Sequence, residues 1–269
     1  MRVVLSRKGF DSETGGIPSP ILPYGRLLSL PIPREGEDRS YSDLRFSDNQ
    51  TYADVLCDLR AKVAGQDRCH VDPDIYRQVL SRPRGWRPLS GHRGNAQSEL
   101  AGRGIKVGDL LLFFGWFREV RMSPSGRLAY VRGAPDLHVV FGYLQIDKVI
   151  PVSSATALPH WMTSHPHASK PYRQRGNNTI YVSRSRASWD DSLPGARPLA
   201  FSERGVLTKR GLSRSRWDLP WCFRELEMTR VKYDPVRDCF QSSPIGQEFV
   251  IEEDPRVERW AKRIIQAGS

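Results

Sequence analysis

The apolar and polar positions change period several times along the chain, and those changes divide it. Residues 2–6 (RVVLS) are a β-branched run without helical period and predict an opening strand. From Arg7 to about Asp48 the chain is rich in Gly, Pro and Ser, yet Ile17, Ile21, Leu22, Leu27, Leu28, Leu30 and Ile32 recur through it. A segment too long for a connector and this apolar reads as an ordered, packed-down functional loop. Tyr52, Val55, Leu56, Leu59 and Val63 return at helical spacing and predict a helix over 51–63. Asp72-Pro73, a capping residue followed by proline at the first helical position, predicts the start of a second helix. A short third is expected over 95–101, ending at Gly102.

The centre has a different character. A Gly-Asp turn ending at Asp109 feeds an apolar strand over 110–117. A polar hairpin (122–127) and a strand over 128–132 follow, then a strand over 137–146 leading to 149–152. Beyond this the chain turns basic and irregular, with one short strand at 179–183. Asp254-Pro255 then caps a closing helix whose Val257, Trp260, Ala261, Ile264 and Ile265 form one apolar stripe. The chain is thus expected to be one unit of five parts: strand and glycine-rich loop 1–48, helical part 49–102, central β block 105–152, basic loop-rich part 153–250 and C-terminal helix 254–267. The fold class expected is α+β and β-rich: a small barrel or a strongly bent mixed sheet, with peripheral helices and long ordered loops.

Composition narrows the function classes. A chain of 269 residues, 39% hydrophobic and 26% charged, can bury a sizeable core. No apolar run approaches the roughly 20 residues that cross a bilayer, and Ser6-Arg7-Lys8 breaks the first apolar run too early for a secretory signal. A soluble, cytoplasmic protein is expected. Cys57, Cys69, Cys222 and Cys239 form no CxxC pair, so they read as ordinary thiols rather than a zinc site. The net charge of +11 is concentrated: residues 170–216 hold eleven Lys/Arg against three acids, and residues 82–132 hold ten against three. Such stretches fit a polyanion, and arginine, whose planar fork suits phosphate, predominates; a merely basic surface is the alternative. Arg173, Arg175, Arg184, Arg186, Lys209, Arg210, Arg214 and Arg216 are the candidate contacts to a nucleic-acid backbone.

Three segments can carry chemistry. In the first, Ser6, Arg7, Lys8, Asp11 and Ser12 run into Gly15-Gly16-Ile17-Pro18. The segment gathers positive charge, hydroxyls and free backbone N–H groups, as a phosphate or polar heterocycle needs. It lacks the GK[ST] ending of a nucleotide triphosphatase. In the second, alternation places Phe114, Trp116 and Arg118 on one strand face, either a stacking platform for a base or core aromatics. Gly115 would let a flat ligand approach the backbone. In the third, Asp136 and His138 stand two apart on one face, so Asp136 can orient His138 for proton transfer, or His138 is structural.

Weaker clusters are His70 with Asp72 and Asp74, and His160 with His165 and His167, for which no partner fixes a metal geometry. The HPH pair His165-Pro166-His167 can hold a metal or contact phosphate. Asn178 and Thr179 can read a base edge, and Trp217 and Trp221 can clamp a strand or close the core. No cofactor or metal is expected. The common hydrolase, methyltransferase and zinc-deaminase motifs are absent.

Taken together these segments resemble a bacterial and phage family, the third of the nucleotide modification associated domain series. The matching stretches are SRKGFDS and GGIPSP, LLSLPIP (27–33), YSDLR (41–45), HVDPD (70–74), VGDLLLFFGWFR (107–118), APDLHVVFGYLQ (134–145), NNTIYV (177–182), LPGA (193–196) and GQEFV (246–250). The resemblance runs nearly end to end and implies modification of bases in DNA, often within phage or genome-defence gene clusters. The centre is also similar to the small PUA, ASCH and EVE barrels that hold a modified or flipped base. Some of those are amidohydrolases, for which Lys8 supplies the lysine but no counterpart of the threonine or glutamate is evident.

The expected function is therefore an enzyme completing a hypermodified nucleobase, such as a 7-deazaguanine (cyano to carboxamide) or a modified pyrimidine. The type of reaction is left open. Lys8, Asp11, His70 and His138 are the candidate catalytic groups. Ser6, Arg7, Ser12, Gly15, Gly16, Phe114, Gly115, Trp116, Arg118, Asp136, Asn178 and Thr179 would bind substrate. The alternatives are a non-catalytic reader of a modified base and a nuclease or glycosylase of a defence system. The expected partner is DNA, with other proteins of a modification cluster and no membrane.

Overall fold

In the computed structural model, which describes residues 1–269, the apolar runs become strands β1 (Val3–Arg7), β2 (Leu89–Arg93), β3 (Leu110–Met122), β4 (Leu137–Pro151), β5 (Asn178–Ser183) and β6 (Glu248–Val250). They form one mixed sheet in the order β6-β1-β3-β4-β5-β2. Only β1 and β3 run parallel on this path; the other pairs are antiparallel. Ser19–Ile21 and Leu128–Tyr130 also pair with β3, and Ala196–Pro198 with β4.

Alternation along these strands builds a core on each face. Val3, Leu5, Leu110, Leu112 and Phe114 enter one cluster, which the C-terminal helix covers with Val257, Ala261, Ile264 and Ile265. Val4, Leu111, Phe113, Phe117, Val139 and Phe141 enter the other. Each such side chain contributes about 1.5–3 kcal/mol by leaving water. The register shifts at Phe113/Phe114 and again at Ile146/Lys148. An extra residue in one strand bends it and adds twist, so the sheet curls strongly into a half-barrel. Its two end strands come face to face: His92 Nδ1 of β2 lies 3.1 Å from Glu248 Oε1 of β6. The α+β class and the strongly bent mixed sheet expected above are what the chain adopts.

Helices are few: α1 (Tyr52–Asp58), α2 (Gly94–Gly102), the single turn Lys170–Arg173 and the closing helix Pro255–Gly268. None is long and apolar enough to cross a membrane. Two expectations need correction. The helix predicted over 51–63 stops at Asp58, because Arg60 takes a left-handed φ of 55° and its N–H bonds to the carbonyl of Cys57, while that of Ala61 bonds to Leu56. That cap is usually marked by glycine, and here it is not. The helix predicted to start at Asp72-Pro73 does not form; Asp74 instead bridges to Leu89 in extended chain. The Asp72 carboxylate, free to cap a helix in principle, is taken by tertiary partners described below. The basic part is also less irregular than expected, since Arg216–Trp217, Val231–Asp234 and Cys239–Ser242 form a separate three-stranded sheet.

The loop after β1 is packed down as predicted: Phe10, Leu22, Leu28 and Leu30 join Tyr52, Val55 and Leu56 of α1 in a third cluster. Among the cysteines, Cys69, Cys222 and Cys239 are buried, Cys57 is exposed and none forms a disulfide.

Candidate functional site

At the end of β1 the backbone of Lys8 is pinned against β3. Its N–H donates to the Phe114 carbonyl at 2.9 Å, and its own carbonyl lies where a side chain on residue 115 would start, 2.8 Å from the Cβ position of Gly115. Gly115 therefore makes room for Lys8 rather than for a ligand. The Lys8 side chain turns inward, and its Nζ meets Asp72 Oδ2 at 2.6 Å, with both side chains buried. The other oxygen of Asp72 accepts from the Gly91 N–H at 2.7 Å, and His165 Nε2 stands 3.5 Å from it.

Two further imidazoles surround this pair. His70 Nδ1 lies 2.7 Å from Glu37 Oε1 and 3.1 Å from the Tyr172 hydroxyl, and its ring stacks on that of Tyr172. His167 Nδ1 lies 2.6 Å from Asn178 Oδ1, while Asn178 Nδ2 donates to the His167 carbonyl at 2.8 Å. The His167 ring rests on Gly91, where an added Cβ would fall 2.2 Å from ring carbon. Lys8, Arg34, His70, Asp72, Arg93 and Tyr172 thus line a polar cleft of about 350 Å³.

The charge states follow from these contacts. Burial pushes Asp72 up, but the Lys8 ammonium, with the His165 and His167 rings facing the carboxylate, outweighs it and holds Asp72 well below the usual carboxylate range. Burial also pushes Glu37 up, and the hydrogen bonds from His70 and Tyr172 bring it down overall. Burial drives His167 well below the ordinary imidazole value, against the pull of Asp72.

Beside the cleft, Ser90 Oγ is 3.2 Å from His92 Nε2, and Glu248 Oε1 also accepts from Ser6 Oγ at 3.0 Å. The succession Ser90, His92, Glu248 has the residue types of a hydrolase triad. Ser90, however, is wholly buried and His92 and Glu248 nearly so, so no substrate reaches the hydroxyl. These polar groups hold the closing seam of the half-barrel.

A second chamber of about 620 Å³ shares Arg7, Asp11, Glu13 and Pro244 with the first. Trp116 Nε1 donates to Asp136 Oδ1 at 2.8 Å, Arg118 pairs with Asp136 Oδ2 at 2.8 Å, and the Arg214 guanidinium lies 4.1 Å over the Trp116 ring while reaching Ser12 Oγ. Arg7 donates to the carbonyls of Ser243 and Pro244, and burial lowers its pKa to about 10. His138 Nδ1 accepts from Trp217 Nε1 at 3.0 Å; burial, then the nearby Arg7 and Arg214, hold His138 well below the ordinary value, so it is neutral.

The sequence-derived candidates divide accordingly. Lys8 and His70 stand together in the first cleft, Asp11 sits on the wall common to both chambers, and His138 belongs to the second. Asp136 engages Trp116 and Arg118 instead of His138, because the arginine and indole reach it first. Asp11 Oδ1 accepts from the N–H groups of Glu13 and Thr14, shaping the turn at Gly15 and Gly16. Phe114 is core, edge-on to His138, Trp217 and Phe249. Asn178 is occupied by His167, and Thr179 is buried opposite His92.

Of the basic candidates, Arg214 lines the larger chamber. Arg173 donates to the carbonyls of Ser153, Ser154 and Thr156, Lys209 to that of Asp238, and Arg216 pairs with Asp234 at 2.7 Å. Arg184 is half-buried, and Arg175, Arg186 and Arg210 are exposed. Asp74 binds Arg82 and Trp86, so it does not join Asp72. Sequence reasoning missed Glu37, His92, Tyr172 and Glu248 and undervalued Asp72 and His167. The two-residue spacings His70-x-Asp72 and His165-x-His167 were the available signal.

No curated protein and no solved structure matches the chain. The profile of nucleotide modification associated domain 3 matches residues 2–252, a span that carries every residue of both chambers. The chain belongs to the nucleotide modification associated domain 3 family.

Proposed function

We propose that this protein is an enzyme that alters a nucleobase in DNA, with the base entering the smaller cleft and meeting Lys8, Asp72, His70 and His167. The observation that carries the reading is the burial of these four groups together at the floor of an open cleft. Taking a carboxylate and an ammonium out of water costs several kcal/mol per ion even after relaxation. A site that only had to be stable would do as well with apolar side chains. Groups poised to bind or move protons explain the arrangement, and burial of this kind is characteristic of functional sites.

The walls fit the substrate class. Tyr172 is flanked by Arg34 and Arg93, whose guanidinium carbons lie 5.3 and 5.8 Å from its ring centre. Guanidinium groups lining a cleft suit the phosphate of a nucleotide. A base inside a duplex must leave the stack to reach such a floor. Mass spectrometry of nucleosides from DNA of cells with and without the gene tests the reading. The expected result is a nucleoside that appears only with the intact gene and is lost with Lys8→Arg, which keeps the charge but not the shape, while DNA binding persists. An identical nucleoside spectrum in all three would overturn it.

A non-catalytic reader is the second reading, favoured by Arg214 over Trp116 in the larger chamber. It predicts selective DNA binding that Trp116→Ala abolishes, with no change in the nucleosides.

A further inference from the structure

Beyond any reaction on a base, the same cleft floor has the features of a metal site. His70, Asp72 and His167 are all buried, and one ligand atom from each lies within 4.8 Å of the others. His70 and Asp72 come from one tight turn, in which the Asp72 N–H donates to the His70 carbonyl at 2.9 Å, and His167 from the turn Pro166–Ala168, so the tertiary fold creates the cluster.

The tautomers can be worked out from the neighbours. The Asn178 amide is oriented by its Nδ2, which donates to the His167 carbonyl. Its Oδ1 can only accept, so the His167 nitrogen 2.6 Å away, Nδ1, carries the hydrogen. His167 Nε2 is therefore left with a lone pair. Glu37 does the same for His70: an ionised carboxylate at 2.7 Å holds the proton on Nδ1 and frees Nε2. Metal-ligating histidines almost always have their second nitrogen fixed in this way by a carboxylate or carbonyl, which sets the tautomer and the ring angle.

A second observation concerns His165. Its Nδ1 accepts from the His167 N–H at 3.3 Å, so Nε2 carries its hydrogen. That atom is buried, has no hydrogen-bond partner and faces Asp72 Oδ1 at 3.5 Å. A modest shift of Asp72 toward a cation would leave His165 to support the carboxylate from behind. Lys8 meanwhile supplies the positive charge that Asp72 needs and occupies Oδ2.

We propose that His70 Nε2, His167 Nε2 and Asp72 bind one divalent first-row transition metal ion, with its remaining positions open to the cleft. Two imidazoles and one carboxylate suit both iron(II) and zinc, and leave out magnesium and calcium, which prefer all-oxygen ligands. On binding, the ion takes over the charge of Asp72, and the Lys8 ammonium is displaced toward the cleft. The inference stands on the cluster alone: a protein that binds the ion and leaves DNA unaltered would lose only the base-modification reading.

The test uses the full-length protein after exhaustive chelation, titrated calorimetrically with Zn²⁺ and, without oxygen, with Fe²⁺. The metal retained after gel filtration is then counted by mass spectrometry. One equivalent of either ion per chain is expected, with a Kd on the order of micromolar or tighter. Glu37→Gln, which leaves all three ligands in place, should weaken binding roughly 10- to 100-fold. The His70→Gln/His167→Gln variant should lose retained metal altogether. Absence of saturable binding by the folded wild-type protein for both ions would overturn the proposal. So would one equivalent bound undiminished in the double variant, since the ion would then sit elsewhere.

Discussion

Replacing Lys8 by Met should cost about 3–5 kcal/mol of stability, the range for removing one partner of a buried ion pair. The structure puts the pair in that regime rather than among surface bridges worth under about 1 kcal/mol. The Lys8 and Asp72 side chains are 7% and 2% exposed, and Nζ approaches Oδ2 to 2.6 Å. Methionine fills most of the stem volume, so little of the loss comes from packing. What remains is an Asp72 carboxylate whose largest favourable influence has gone while its burial persists.

Thermal unfolding and guanidinium titration of metal-free protein at neutral pH would measure this. The expected drop in Tm is roughly 6–20 °C for a domain of this size. Asp72→Asn alone should be costly too, whereas Lys8→Met with Asp72→Asn should recover much of the loss, because no uncompensated charge is left inside. The sign with pH is fixed. Without Lys8, burial raises the Asp72 pKa, so the deficit is largest at neutral pH and shrinks as Asp72 is protonated on acidification. A Lys8→Met variant within 1 kcal/mol of wild type, with additive single and double effects, would refute the claim that this pair is desolvated and coupled.

Other outcomes follow from the same contacts. Gly91→Ala should displace the His167 ring, because the new methyl carbon would start 2.2 Å from it. Stability should fall by about 1–3 kcal/mol, and the ring's nitrogen shifts in NMR should change; an unshifted His167 would count against the packing described. His138 and His167 both have folded pKa values depressed below that of the unfolded chain. Their contribution is intact above the unfolded imidazole value of about 6.5 and is lost as pH falls below it. A pH series of unfolding free energies checks this, and stability constant from pH 7 to pH 5 would contradict it. Arg214→Ala should weaken DNA binding and reduce the slope of log affinity against log salt by about 1 if Arg214 meets a phosphate. An unchanged slope would remove it from the interface.

Much of this protein was legible from its one-dimensional pattern. The β-branched run at the start, the apolar central strands and the stripe at the end became β1, β3, β4 and the closing helix, because burial of one or both faces imposes a period that sequence displays directly. The packed loop after Lys8 could be read in the same way, and so could the family. The helix boundary at Asp58 could not, because its cap uses Arg60 where glycine would be the usual mark.

The cleft itself was decided by tertiary structure. Asp72 reads locally as a helix cap and becomes instead the anion beneath Lys8, 64 residues away. Glu37, an unremarked polar residue in the sequence, and Asn178, read there as a contact to a base edge, fix the protons of His70 and His167. Sequence reports only what neighbours along the chain demand. The charge, tautomer and reach of these side chains depend on the curl of a sheet that carries β1, β2 and β5 to one place, and no local period records that curl.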